Sequence, residues 1–72
     1  METVFIHTEH IKLQDLLKFA NAVSSGGEAK ECVQAGEAAV NGEVCFQRGR
    51  MLRPGDSVTF RGRTYAIAYA DR

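Results

Sequence analysis

The spacing of apolar residues along this chain changes period twice. Thr3–Ile6 is short, β-branched and aromatic, which predicts a strand. From Leu13 the period lengthens. Leu13, Leu16, Leu17 and Ala20 fall at i, i+3, i+4 and i+7, the stripe of an amphipathic helix, placed here at 13–22 with Asp15 in its first turn. Ser24-Ser25-Gly26-Gly27 interrupts that pattern. Ser25 stands three residues before Glu28, the spacing at which a serine oxygen accepts from an early helix N–H while the carboxylate reaches back. Ala29, Cys32 and Val33 restore helical spacing, and Gly36 stands where a left-handed residue closes a helix. A second helix is therefore expected over 26–35. Being short, it depends on docking against Leu13, Leu16 and Leu17.

Beyond Gly36 the period falls to two. Ala38-Ala39-Val40 leads into Asn41-Gly42, the dipeptide that best suits a type I′ hairpin turn, and Glu43–Phe46 returns. Gln47-Arg48-Gly49-Arg50 reads as a polar loop and Pro54-Gly55-Asp56 as a turn. Ser57–Phe60 and Arg63–Tyr69 alternate as strands on either side of Arg61-Gly62. The expected order is β, α, α, then four short strands, in a single domain over 1–72. Periodic placement assigns most of Phe5, Phe19, Phe46, Phe60, Tyr65 and Tyr69 to the core. Phe46 borders the polar loop and is the best placed of them to stack on a base.

With 72 residues the chain buries only about 60% of its unfolded surface, which leaves little room for a deep substrate cavity and argues against an enzyme. Two cysteines, Cys32 and Cys45, are too few for a secreted disulfide framework and read as reduced thiols. No apolar run is long enough to span a membrane, and the first residues lack the basic start of a signal peptide, so a cytoplasmic protein is expected. The formal net charge is zero, but the charges are not mixed evenly. Up to Cys45 the only cations are Lys12, Lys18 and Lys30, against seven acidic residues. From Phe46 onward Arg48, Arg50, Arg53, Arg61, Arg63 and Arg72 face only Asp56 and Asp71. Clustering of this kind, more than net charge, makes an electrostatic footprint for nucleic acid.

Two groups carry candidate chemistry. At the start of the second helix, Ser25, Gly26 and Gly27 would leave backbone N–H donors open to a phosphate, with Lys30 one turn in. The Gly-x4-Gly-Lys spacing of a nucleotide-binding P-loop is absent. In the polar loop, Arg48, Arg50 and Arg53 offer guanidinium forks that match phosphate oxygens. A plain capped helix accounts for the first group taken alone, and a solvated loop for the second. His7 and His10 lie three apart, but the thiols are too distant in sequence for a zinc pattern, so no metal and no cofactor is expected. A cysteine nucleophile would need a positioned base that the sequence does not supply.

In combination these segments resemble a family. Ile11–Lys18, Ser25-Gly26-Gly27-Glu28-Ala29-Lys30, Gly36–Gly42 with its Val-Asn-Gly run, and Arg48–Asp56 with Pro-Gly-Asp are similar in order and spacing to the S4 RNA-binding domain. The small stand-alone bacterial S4-like proteins of the YaaA and YbcJ type are nearest, over roughly residues 2–68. The resemblance implies an α+β fold, S4-like, with the alpha-L motif: two short helices in a helix-turn-helix arrangement against a small, mostly antiparallel twisted sheet. It also implies that Lys12, Ser25, Gly26, Gly27, Lys30, Arg48, Arg50 and Arg53 face RNA. Asn41 and Gly42 would hold the hairpin, and Pro54, Gly55 and Asp56 the later turn. Gln47 and Met51 stand where relatives often carry a basic residue, which shifts expected contact toward the three arginines.

The partner expected on these grounds is structured RNA, ribosomal or ribosome-associated, held by shape and phosphate contacts. No membrane or small-molecule partner is expected, and the chain is expected to be monomeric. Three to five phosphate contacts would give a salt slope of about −2 to −5. Two other readings remain open. The acidic first half could be a protein-interaction face, and phosphate contacts alone would also suit non-specific DNA binding.

Overall fold

Leu13, Leu16 and Leu17 have no exposed surface, and Ala29, Cys32 and Val33 meet them in one buried cluster. The spacing that predicted two docked helices thus forms the centre of the computed structural model, which describes residues 1–70. Arg72, counted above in the basic half, lies outside the described residues. The chain runs β1 (Glu2–Ile6), β2 (Ile11–Lys12), α1 (Leu13–Phe19), α2 (Gly26–Gln34), β3 (Ala38–Val40), β4 (Glu43–Val44), β5 (Met51–Leu52), β6 (Ser57–Phe60) and β7 (Arg63–Tyr69). Five strands form a sheet in the order β1-β7-β6-β3-β4, and β2 pairs with β5 in a separate two-stranded ladder. Pairing is antiparallel throughout except for β1 with β7. The fold is α+β with the helix pair against a mostly antiparallel sheet.

Both helices end in the same way. After α1, Asn21 takes φ 62°, the Ala22 N–H donates to Leu17 O and the Asn21 N–H to Lys18 O. After α2, Gly36 takes φ 82°, the Glu37 N–H donates to Cys32 O and the Gly36 N–H to Val33 O. Each is the doubly bonded closure that satisfies the last helical carbonyls. Gly36 was expected to do this. Asn21 was not, and it ends α1 at Phe19 instead of residue 22, because asparagine tolerates the left-handed region that most residues avoid.

Two further expectations are corrected. Met51–Leu52 is a strand rather than part of a loop, pairing Leu52 with Ile11 and Met51 with Lys12, and Leu52 is fully buried. Of the aromatic residues, only Phe60 and Tyr65 are in the core, whereas Phe5, Phe19, Phe46 and Tyr69 are each more than half exposed. Alternation in β1 buries Val4 and Ile6 and so turns Phe5 outward. Phe19 falls off the α1 stripe, which is complete with Leu13, Leu16 and Leu17.

Candidate nucleic-acid interface

The segment from Cys45 to Arg53 is irregular up to Arg50, enters β5 at Met51–Leu52, and is firmly tied. The Cys45 N–H donates to Ala38 O at 2.9 Å, and the Arg50 N–H donates to Gln47 O at 3.1 Å. Lys12, at the N-cap of α1, provides no side-chain cap. The loop supplies one instead. The Gln14 N–H donates to Arg48 O and the Leu13 N–H to Arg50 O, both at 2.9 Å. The orphan donors of α1 therefore hold the arginine loop by its backbone. The Arg48, Arg50 and Arg53 residues are exposed. Among the described residues none of their side chains has a hydrogen bond or an ion pair.

The far end of the loop is fixed by Asp56. Its carboxylate accepts from the Arg53 N–H at 2.8 Å and from Asn41 Nδ2 at 3.1 Å, while Asn41 Oδ1 accepts from the Ser57 N–H at 2.9 Å. The Asn-Gly hairpin and the Pro-Gly-Asp turn are thus stitched together, a link the sequence reading did not anticipate. The Arg53 N–H, then Asn41, hold the Asp56 carboxyl below the usual carboxylate range, and the Arg50 and Arg53 charges add to this.

At the start of α2, Ser25 Oγ accepts from the Glu28 N–H at 3.1 Å, the expected cap. The Glu28 carboxylate reaches back one residue further than expected, taking the Ser24 N–H at 2.8 Å and Ser24 Oγ at 2.9 Å. These bonds, the backbone one first, lower the Glu28 pKa. Neither Gly26 nor Gly27 is demanded by packing. A Cβ added at Gly26 would come no nearer than 4.0 Å to another residue, and one at Gly27 no nearer than 3.9 Å. Among the described residues the Gly26 and Gly27 N–H groups have no hydrogen-bond partner, so two donors of α2 stay open.

The two groups adjoin opposite ends of α1. The arginine loop caps its N-terminus, and Lys18 in its last turn has its Nζ 4.0 Å from the Gly26 Cβ position. Seven helical residues separate these ends by about 10 Å. Lys12 is exposed at the α1 N-cap and Lys30 is exposed on α2. Lys18 was missed in the sequence. No local signal pointed to it, because it stands eight residues before Gly26 and the fold alone brings the two together. An Asp15 carboxylate lies 3.9 Å from Lys18 Nζ.

The other arginines behave differently. Arg61 Nε donates to Glu37 Oε1 at 2.8 Å, Nη2 reaches Cys32 Sγ at 3.0 Å, and Nη1 lies 3.7 Å from Glu28 Oε2. Arg63 Nη1 lies 3.0 Å from Glu2 Oε2. The basic half of the sequence is therefore not one stripe: Arg61 and Arg63 are neutralised by acids of the first half. Cys32 and Cys45 are free and buried, and burial pushes the Cys32 thiol up. His7 and His10 lie in the exposed stretch between β1 and β2.

A docked helix pair, a short ladder leading into it and an anchored basic loop together define an αL arrangement. The chain belongs to the S4 domain family, whose model matches residues 4–68. A curated relative, the probable ribosome maturation protein RlbA of Bacillus subtilis (strain 168), is 42% identical over 59 residues, covering 82% of this chain and 83% of that protein. The solution structure of YbcJ from E. coli, a protein with an αL motif involved in RNA-binding, superimposes with a TM-score of 0.73 at 29% identity, covering 94% of this chain and 87% of that one. The 30S ribosomal protein S4e of Thermoplasma acidophilum shares the fold, with a TM-score of 0.67 at 19% identity, over 89% of this chain and 34% of that one.

Proposed function

We propose that this chain is an RNA-binding module that takes a structured RNA, ribosomal or ribosome-associated, chiefly by its phosphates. The observation that carries the reading is the state of Arg48, Arg50 and Arg53: exposed, unpaired among the described residues, and mounted on a loop whose backbone is bonded to α1. A loop held in place spends little ordering entropy on binding, and guanidinium forks suit phosphate oxygens. Lys12 extends this group along the α1 N-cap. Ser25, Gly26 and Gly27, with Lys18 and Lys30, form a second anchoring point near the other end of α1. Glu28 weakens that second point, because a carboxylate at a helix start competes with an incoming phosphate for the same field. We therefore rank the arginine loop first in affinity. The YbcJ αL motif and the ribosome maturation role of RlbA support RNA, and ribosome-related RNA, as the ligand.

The test is charge reversal. R48E/R50E/R53E should weaken retention of a structured RNA at least about 100-fold, three lost phosphate contacts each being worth about 1 kcal/mol or more. Its melting temperature should stay within a few degrees of the wild type. Retention of RNA by that variant at wild-type affinity removes the site assignment. Competition between duplex RNA and duplex DNA of one sequence tests the sugar preference, and equal affinity removes it.

A further inference from the structure

The strongest feature outside the phosphate contacts is Phe46, whose side of the loop the charge argument does not use. Its ring lies against Gly36. A Cβ built at Gly36 would fall 3.1 Å from Phe46 Cε1, closer than most real contacts allow, and in ordinary contact with Phe46 Cζ at 3.5 Å and Val44 Cγ1 at 3.7 Å. Gly36 thus has two reasons to be glycine: its φ of 82° and the ring seated over it. The residue after Phe46 is held from below, since Cys45 Sγ donates to Gln47 O at 3.6 Å. The ring is backed by the fold on one side yet leaves Phe46 61% exposed. Exposed Phe5 and Tyr69 lie on β1 and β7, at the other side of the sheet from β4, and Phe19 lies at the end of α1 opposite the one the loop caps.

We propose that Phe46 is a platform for an unpaired base, so that the RNA taken at this site is a helix interrupted by a bulged or flipped nucleotide rather than an uninterrupted stem. This rests on the RNA reading above and narrows it. Bases within a duplex are already stacked on their neighbours and present no free π-face. A seated aromatic ring two residues from a phosphate-binding arginine is useful only to a base that has left the stack while its backbone remains on the arginines. Base–aromatic stacking tolerates any base, so the site reads the presence of an unpaired nucleotide and not its identity.

The experiment compares two hairpin RNAs, one with a single bulged nucleotide and one with the same stem and the bulge deleted, against the full chain and its F46A, F46L and F46Y variants. The wild type should prefer the bulged RNA about tenfold, equivalent to about 1.4 kcal/mol of stacking. F46Y should keep that preference. F46A and F46L should lose it and bind both RNAs as the wild type binds the plain stem. Equal binding of both RNAs by the wild type, or a preference that survives in F46L, overturns the platform and leaves the RNA reading standing. Failure to bind either RNA at low salt overturns the RNA reading, and the platform with it.

Discussion

Two groups of arginines lie within sixteen residues of one another, and the fold uses them in opposite ways. Arg61 reaches across to α2 and joins Glu28, Glu37 and the Cys32 thiol, and Arg63 joins Glu2 at the sheet edge. Arg48, Arg50 and Arg53 have no such partners among the described residues, and their loop instead gives its backbone carbonyls to α1. In the first group the side chains are taken up by acids of the fold, Arg61 more firmly than Arg63. In the second the backbone is bonded to α1, and the side chains remain free for a ligand. Residue type and sequence neighbourhood are alike in the two groups. What separates them is whether acids from the other half of the chain arrive beside them.

That contrast can be broken or sharpened by mutation. The largest effect expected within the folded protein is at the turn beside the free arginines. D56A removes acceptors for the Arg53 N–H and Asn41 Nδ2 and should cost about 1–3 kcal/mol in denaturant unfolding, loosening the loop as well. R61A should lower Tm measurably but by less than D56A, since its pairs are partly exposed, with RNA affinity changed less than by any loop arginine. The double change E28Q/E37Q tests the same pairing from the other side. It frees Arg61 and removes two negative charges, Glu28 in the first turn of α2 and Glu37 just past its end, so RNA binding should tighten about two- to fivefold at low salt. An unchanged affinity would show that α2 contributes nothing to the interface.

Acid sensitivity follows from the same groups. Glu28 and Asp56 are lowered in the folded state, so the stability they lend is fully present above their unfolded values near pH 4 and is lost as pH falls through the lower folded values. Stability measured from pH 5 down to pH 2 should therefore fall below about pH 4, and less steeply in E28Q. The smallest effect is R63Q: its partner pair is two-thirds and one-half exposed, so stability should change by less than about 0.5 kcal/mol.

Features carried by neighbouring residues were legible in the sequence. Ser25 with Glu28, Gly36, Asn41-Gly42 and Arg61-Gly62 each announce a local backbone geometry, and each appears where its chemistry required. The exposure of the loop arginines was legible for the same reason, since it depends on lying between a hairpin and a turn. What escaped depends on partners far along the chain. Leu52 is fully buried because Ile11 pairs with it across 41 residues, and a two-residue strand has no period to detect. β1 joins β7 in parallel at the sheet edge, a pairing no turn dictates. The neutralising of Arg61 by Glu28 and Glu37 is likewise a product of the tertiary fold. Phe5, Phe19 and Tyr69 escaped because so small a core is filled before every aromatic is used.

The salt dependence of RNA binding, measured side by side for wild type, R48Q and R63Q, tests the division most directly. Each phosphate contact contributes about 0.7–0.9 to the magnitude of the slope of log K against log salt. The account predicts that R48Q flattens the slope by about that amount while R63Q leaves it unchanged. Equal flattening by both variants, or by neither, would contradict it.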